Sequence, residues 1–261
     1  MVTGYLIDTS LVVHGFVRAR DGKITVFDPP GAGTGVYQGV QLLGINNFGA
    51  VAGSYTDGNN VAHGFVRAAD GKFTVFDDPA GGTGAFQGTW AYTINDFGVI
   101  VGATTYSDNS SHGLLRTFNG SYPDFQFPTA TNYNTAYIND LGVIAGSYLQ
   151  GATDFIGFQR TPDGKMTEYS APGAGPLGTF VFALNLEGTA TGYVEDSNNE
   201  AHSFVRYANG RIVEFDVPGQ MHVPGTGLGS SGLAINALGQ VAGHLHDAGY
   251  AVHAYLWQPE E

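Results

Sequence analysis

The sequence contains no cysteine, and only 13% of its 261 residues are charged. Without thiols there is neither a disulfide framework nor a cysteine nucleophile. Lysine and arginine number 10 against 23 aspartates and glutamates, which gives a formal net charge of −13. This charge argues against a nucleic-acid partner, because a phosphate backbone is bound by clustered basic side chains.

Long apolar runs are also missing. No segment approaches the roughly 18 residues that span a bilayer as a helix, and no helical apolar period extends far along the chain. Glycine, by contrast, is abundant, with 40 residues, which is about twice the average usage. We therefore expect many tight turns between short strands.

One pentapeptide recurs through the whole chain. Most copies read His-Gly-Phe-Val-Arg or a close variant, and the copies begin at His14, His63, His112, Ile156, His202 and His253. Successive copies are 49, 49, 44, 46 and 51 residues apart. A second marker, Ile-Asn-x-x-Gly, precedes each copy from the second onward, as Leu-Asn-Leu-Glu-Gly in the fifth. The spacing predicts a single domain, residues 1–261, made of about five and a half repeats of one structural unit.

Each unit contains four short strands, which we label A to D. In the second copy they are predicted at residues 41–46, 51–55, 63–67 and 73–77. Asp-Gly or Asn-Gly separates strands C and D, which predicts a type I′ hairpin turn. A proline and a longer loop lead from strand D to the next strand A. Three hairpins and one long crossing in every unit predict an all-β fold, a β-propeller of four-stranded blades.

The number of blades stays open at this point. Strands B and C occur six times, whereas strands A and D occur five times. Six blades are favoured, with the first lacking strand A and the last lacking strand D. In the five-bladed alternative, the first strand D would complete the last A–B–C set. The chain begins inside a unit without a signal peptide, and a signal that has been removed fits this start.

The repeat resembles the HAF-type extracellular repeat of bacterial proteins. The resemblance rests on Ile-Asn-x-x-Gly-x-Val-x-Gly, a polar loop, His-Gly-Phe and Thr-x-Phe-Asp-x-Pro-Gly-Ala, and it covers nearly the whole chain. The third and fourth copies depart from it, because Gln126 and Ser170 replace the aspartate and Ile156 replaces the histidine. The resemblance implies a secreted or cell-surface protein. It transfers no activity and no catalytic residue.

Most repeated polar residues are interpreted as scaffold. We expect the repeated histidines to bond a neighbouring blade, and we expect the arginine that ends each pentapeptide to be architectural. Aspartates in the B–C loops are expected to form side-chain turns; they are Asp8, Asp57, Asp196 and Asp247. Calcium is a weaker alternative for these oxygen-rich loops, through Asp57, Asn59 and Asn60 or through Asp196, Asn198 and Glu200.

One functional hypothesis concerns recognition. The B–C and D–A loops of a propeller emerge at one rim, and the segments that lead into strand A carry aromatic side chains amid polar ones. Aromatic faces beside amides suit a glycan or another small ligand. The predicted ligand-binding residues are Tyr37, Gln38, Phe86, Gln87, Trp90, Tyr133 and Phe180.

A second hypothesis is a metal-dependent hydrolase of esters or phosphoesters, or a lyase. His244 and His246 lie two residues apart on a strand, so both imidazoles face the same side. Together with His222 and His253 they could bind Zn²⁺ or another divalent transition metal, with Asp247 as a ligand or general base. The sequence has no Gly-x-Ser-x-Gly elbow and no phosphate loop that would support another mechanism.

Overall fold

The computed structural model describes residues 1–123, 125 and 130–259. All of the regular secondary structure in these residues is β-strand. Contacts divide the chain into two compact units, Met1–Tyr133 and Asn134–Glu261. Within the described ranges, no helix is long and apolar enough to cross a membrane.

The first unit contains three blades. Blade 1 consists of β1 (Val2–Ile7), β2 (Val13–Arg18) and β3 (Ile24–Phe27). Blade 2 consists of β4 (Gly39–Ile45), β5 (Val51–Thr56), β6 (Ala62–Arg67) and β7 (Phe73–Phe76). Blade 3 consists of β8 (Gly88–Ile94), β9 (Ile100–Thr105) and β10 (Ser111–Arg116). Consecutive strands within a blade pair antiparallel. The four strands of blade 2 agree with the predicted strands A to D within two residues.

The second unit repeats this pattern. Blade 4 consists of β11 (Ala130–Ile138), β12 (Ile144–Gln150), β13 (Asp154–Arg160) and β14 (Met166–Tyr169). Blade 5 consists of β15 (Gly178–Leu184), β16 (Ala190–Glu195), β17 (Ala201–Arg206) and β18 (Ile212–Phe215). Blade 6 consists of β19 (Ser230–Ile235), β20 (Val241–His246) and β21 (Val252–Trp257). Gln126, which replaces the repeated aspartate of the third copy, lies outside the described residues.

The pairing of β3 decides the number of blades. This first strand D pairs antiparallel with β2 of its own copy, from Gly15↔Phe27 to Arg18↔Ile24. It is therefore not the missing outer strand of the last copy, and the five-bladed alternative is wrong. The described residues form six blades, of which the first lacks strand A and the last lacks strand D. Blade 3 is described by three strands, because part of the segment between β10 and β11 lies outside the described residues.

The C–D hairpins are where the sequence predicts them, but their turn type differs. Gly22 N donates to Ala19 O and Ala19 N donates to Lys23 O, and of the turn residues only Gly22 has a positive φ, of 89°. This is a type I turn followed by a left-handed glycine and a bulge, so the predicted type I′ turn is wrong. Asp21 accepts the Lys23 N–H, which explains why an acidic residue precedes the glycine.

Neighbouring blades within a unit pack through apolar side chains. Phe76 of blade 2 is buried against Ile94, Ile100 and Leu114 of blade 3. The repeated arginines join the same seams, because Arg116 stacks over Phe76 with its Cζ 4.4 Å from the ring centroid. Arg67 over Phe27 and Arg206 over Tyr169 repeat this contact. The prediction that these arginines are architectural is confirmed at three seams.

The asparagine of Ile-Asn-x-x-Gly forms the A–B turn and also links blades. Asn185 Oδ1 accepts the Thr189 N–H at 2.8 Å, and Asn185 Nδ2 donates to Asn236 O of the next blade at 3.0 Å. Asn46 Nδ2 donates to Asn95 O in the same way in the first unit. One side chain therefore closes a turn and joins two blades.

Candidate functional site

The B–C and D–A loops meet at one end of the blades, as the sequence predicts, and glutamines join them. Gln38 Oε1 accepts the Gly35 N–H, while its Nε2 donates to Asn60 Oδ1 at 3.0 Å. Gln87 makes the same contacts with Gly84 and Asn109. These amides are held by the rim itself, so the structure gives Gln38 and Gln87 a loop-joining role in place of the predicted ligand contacts.

Two predicted aromatic residues extend from the rim in a backbone conformation that is unfavourable for them. Tyr37 and Phe86 have φ values of 58° and 64°, and 61% and 69% of their surfaces are exposed. Their N–H groups donate to the preceding B–C loop, where Leu11 O and Asn60 O accept. In the last copy the equivalent N–H donor is Gly227, which adopts a positive φ without steric cost.

The positive φ angles of Tyr37 and Phe86 indicate a functional role. A bulky residue at positive φ costs on the order of 1–3 kcal/mol, and such strain is concentrated at functional sites. Packing does not repay this cost at Tyr37 and Phe86, because both side chains are mostly exposed. These two aromatic residues are therefore the strongest members of the predicted ligand-binding set.

The other predicted aromatic residues have different surroundings. Phe180 is buried, and its ring lies 4.5 Å from Phe155 and 4.6 Å from Tyr193, so it packs between blades 4 and 5 and does not face a ligand. Trp90 is half-buried on β8. Tyr133 belongs to β11, and its side chain lies outside the described residues.

The repeated histidines bind aspartates of their own blade. His63 Nδ1 lies 2.9 Å from Asp77 Oδ1, which follows strand D, and His63 Nε2 lies 3.7 Å from Asp57 Oδ2 in the B–C loop. His14 and His202 have equivalent partners in blades 1 and 5. The expectation of a bond to a neighbouring blade is wrong, because strand D returns along strand C and brings its carboxylate to the histidine.

The aspartates of the B–C loops form the side-chain turns expected from the sequence. Asp57 Oδ1 accepts the N–H groups of Asn59 and Val61 at 2.8 and 2.9 Å. Asp8, Asp196 and Asp247 accept the equivalent pairs of N–H groups. The Asp57 carboxylate is thus held between its own loop and the His63 ring.

These aspartate–histidine groups should make stability depend on pH. The Asp28 hydrogen bond raises the pKa of His14. Burial lowers the pKa of His202, but Asp216 together with Asp196 and Glu200 more than offsets this, so the His202 pKa is raised too. A raised histidine pKa stabilises the fold below the unfolded value of 6.5, and this contribution disappears as pH rises through the higher folded pKa. Hydrogen bonds from backbone N–H groups lower the pKa of Asp8 below the unfolded value of 3.8. The contribution of Asp8 to the stability of the fold is therefore present above pH 3.8 and disappears as pH falls through the lower folded pKa.

We therefore expect the melting temperature to fall as pH rises from about 6 to 8.5. A variant carrying His14→Gln and His202→Gln should show a weaker dependence over this interval, as measured by calorimetry at constant ionic strength. Equal slopes for both proteins would contradict a role for these histidines.

The third copy departs from this arrangement. Tyr106 stands where the second copy has Asp57, and its ring stacks on His112 at a centroid distance of 4.2 Å and an angle of 7°. Ser110 Oγ lies 3.3 Å from His112 Nε2. His63 therefore contacts the Asp57 carboxylate of its B–C loop, whereas His112 contacts the face of the Tyr106 ring.

A cavity of about 230 Å³ lies beside this stacked pair. Tyr106, His112, Tyr122 and Asp78 line it, and Asp78 comes from the D–A loop that also carries Phe86. Asp78 Oδ2 accepts from Thr104 Oγ1 at 2.8 Å, and Tyr122 Oη donates to Asp77 O at 2.9 Å. Burial raises the pKa of Tyr122, which keeps its hydroxyl protonated. The cavity therefore combines aromatic faces with a fixed carboxylate at the rim.

Sequence reasoning assigned this cavity no ligand residue. The predicted ligand-binding set does not include Tyr106, His112 or Tyr122, although the sequence shows that the third copy departs from the repeat. The available signal was the loss of the B–C loop aspartate at Tyr106.

The residues of the predicted metal site are not brought together. His222 Nδ1 lies 3.3 Å from Glu200 Oε2 of blade 5, and His253 Nε2 lies 2.8 Å from Asp247 Oδ2. His244 and His246 face the same side, as their spacing predicts, with ring centroids 5.4 Å apart, and burial together with His246 lowers the pKa of His244. Within the described residues, no three His, Cys, Asp or Glu side chains are placed to hold a metal ion, and this includes the predicted Zn²⁺ ligands.

No protein-family model matches the chain, and no curated protein matches it. Solved structures do match it. The β-propeller domain of the Trilobed protease from Pyrococcus furiosus, which has an open velcro topology, superposes with a TM-score of 0.59 at 12% identity over 98% of this chain and 78% of that one. The BP39L lectin from Burkholderia pseudomallei superposes with a TM-score of 0.50 at 9% identity over 97% of this chain and 94% of that one. With its all-β blades, this chain therefore has the β-propeller fold that its sequence predicts.

Proposed function

We propose that the chain binds a neutral carbohydrate at the rim, in the cavity beside Tyr106 and His112. The proposal rests on one difference between the copies. Where the second copy has the carboxylate of Asp57, the third copy has the aromatic ring of Tyr106, which stacks on His112. Aromatic faces stack on the apolar side of a sugar ring, while the Asp78 carboxylate and the Tyr122 hydroxyl can bond its hydroxyl groups.

Size and charge support a small neutral ligand. A cavity of about 230 Å³ is below the range of about 300–1,000 Å³ typical of drug-sized ligands, so one sugar ring suits it better than a larger molecule. The formal net charge of −13 and the Asp78 carboxylate disfavour anionic ligands. Phe86, on the same D–A loop, offers an exposed ring for a second sugar unit of an extended glycan.

The comparison with known structures agrees with this proposal. BP39L, whose structure superposes on this chain, is a lectin. Because one fold hosts many functions, the proposal rests on the rim residues rather than on the likeness. The export implied by the repeat resemblance fits a glycan ligand outside the cell and stays a prediction. The metal-dependent hydrolase lacks this support, because no group of three metal-binding His, Cys, Asp or Glu side chains occurs in the part of the chain that the structure describes.

The test is to restore the repeat at the third copy. Tyr106→Asp recreates the arrangement of Asp57 and His63, so the fold should persist while glycan binding falls about tenfold or more, the effect of about 1.4 kcal/mol. Binding is first found on a glycan array and then measured by isothermal titration calorimetry with the selected sugar.

Two further variants complete the test. Phe86→Gly should weaken binding and raise the melting temperature, because glycine relieves the positive φ at this position. Phe48→Ala, which removes a similarly exposed ring from the A–B turn of blade 2 at the other end of the strands, serves as the matched control and should leave affinity unchanged. The proposal is wrong if Tyr106→Asp binds as the parent does, or if no neutral glycan binds.

A further inference from the structure

A second cavity, of about 360 Å³, lies between blades 2 and 3 at the end of the strands opposite the rim. Apolar side chains from both blades line it, including Ala50, Val66 and Ile94. Phe97 and Phe118 border it with 68% and 81% of their surfaces exposed. Phe118 occupies a turn position at which other copies have Arg20, Ala69, Pro162 and Ala208, so its exposed ring is particular to the third copy.

Arg116 brings a charged donor to this apolar cavity. The ring of Phe76 lies under its guanidinium, and its Nε is buried without a hydrogen-bond partner. Gly98, on the A–B turn of blade 3, also lines the cavity. The cavity therefore presents polar groups within a largely hydrophobic wall, which is the usual composition of a small-molecule site.

The equivalent seam between blades 4 and 5 shows which group fits here. Gln159 occupies the position of Val66 in its pentapeptide, and its Oε1 accepts a hydrogen bond from Arg206 Nη1. Its Nε2 donates to Gly188 O at 3.3 Å. Arg206 and Gly188 correspond to Arg116 and Gly98, so a carboxamide occupies the position that Val66 leaves open. Arg206 is buried in consequence, whereas Arg116 is only half-buried.

The geometry points to a binding site for a small aromatic carboxamide between blades 2 and 3. The ligand carbonyl accepts from the Arg116 guanidinium and its N–H donates to the Gly98 carbonyl, as the Gln159 amide does in the other unit. Its apolar body lies along Phe97 and Phe118. This site is at the opposite end of the blades from the rim cavity and does not depend on the proposed glycan function.

The surrounding charges favour a neutral amide over a carboxylate. Asp96 lines the same cavity, and its carboxylate accepts from Asn47 N and Nδ2 at 2.8 and 2.9 Å. An anionic ligand beside Asp96 would be repelled by its carboxylate. The seam between blades 1 and 2 also carries a valine, Val17, but there the side chain of Met1 lies against Gly49.

The test uses 4-fluorobenzamide as the probe, in ¹⁹F NMR titrations of the full chain. The parent should broaden and shift the probe signal saturably, whereas 4-fluorotoluene, which lacks the amide, should bind at least about tenfold more weakly, as expected from losing a hydrogen bond to a charged group. Equal affinities for the two probes would overturn the proposal.

Exchange of the two seam residues provides matched variants. Val66→Gln should close the cavity with an internal amide and weaken 4-fluorobenzamide binding at least about tenfold, while glycan binding at the rim stays unchanged. Gln159→Val should open the corresponding seam and add a second site for the probe. Melting curves confirm that each variant folds; should Gln159→Val fail to fold, Val66→Gln decides alone. Unchanged probe affinity in a folded Val66→Gln protein refutes the site.

Discussion

Gly88→Ala should destabilise the first unit by about 3 kcal/mol or more. Gly88 has a φ of 108°, and a Cβ atom there would lie 2.2 Å from Ala62 O of the preceding blade. The positive φ alone costs an alanine about 1–3 kcal/mol, and displacing a backbone carbonyl adds about 1–3 kcal/mol of overpacking. Because domains are stable by only about 5–15 kcal/mol, the loss is large enough to measure by urea denaturation.

Gly58→Ala provides the matched control for this prediction. Gly58 lies in a B–C loop of the same unit, nothing lies within 4 Å of its added Cβ, and its φ is outside the left-handed region. The change should alter the free energy of unfolding by no more than about 0.5 kcal/mol. If the two alanine variants unfold at the same urea concentration, the close approach of blades at Gly88 does not limit stability.

Asn185→Ala should cost about 2–4 kcal/mol in the second unit. The side chain is buried and satisfies the Thr189 N–H and the Asn236 carbonyl. Removing it loses hydrogen bonds worth about 1 kcal/mol each and leaves a buried donor unpaired, at a further cost of about 1–3 kcal/mol.

Asn236→Ala tests whether this cost comes from the motif or from the link between blades. Asn236 holds the same motif position, but it is exposed, and its Oδ1 accepts only from Leu238 N and Gln240 N of its own turn. Its replacement should cost less than about 1 kcal/mol in calorimetry or denaturant unfolding. Equal losses for Asn185→Ala and Asn236→Ala would show that the turn, and not the link between blades, carries the stability.

The likeness of the copies explains what could be predicted. Strands, hairpins and the B–C side-chain turns follow from contacts within about twenty residues, as at Asp57 with Asn59 and Val61. Sequence alone also showed that Tyr37 and Phe86 share a place before strand A. Such local patterns repeat in every copy, so the strands and turns predicted in one copy support those predicted in the others.

Predictions failed where a side chain has two partners available. The Gln38 amide could have bound a ligand or the rim, and only the approach of the B–C loop gives it Gly58 and Asn60 as partners. The same holds for His63, whose carboxylate partner could have come from either blade. Aspartate turns at the ends of strands are visible in sequence, whereas the direction in which an imidazole points is not.

The repeated unit, its strands and the all-β class follow from the amino-acid sequence, because turn chemistry and strand alternation act between residues close in the chain. The cavities depend on the packing of neighbouring blades. Val66 and Gln159 hold the same place in their pentapeptides, and both seams carry an arginine. Only the packing of blade 5 on blade 4 brings Gln159 to Arg206, 47 residues later in the chain, so that its amide closes the seam. Such contacts exist only once neighbouring blades pack, since packing brings together side chains that no local pattern relates.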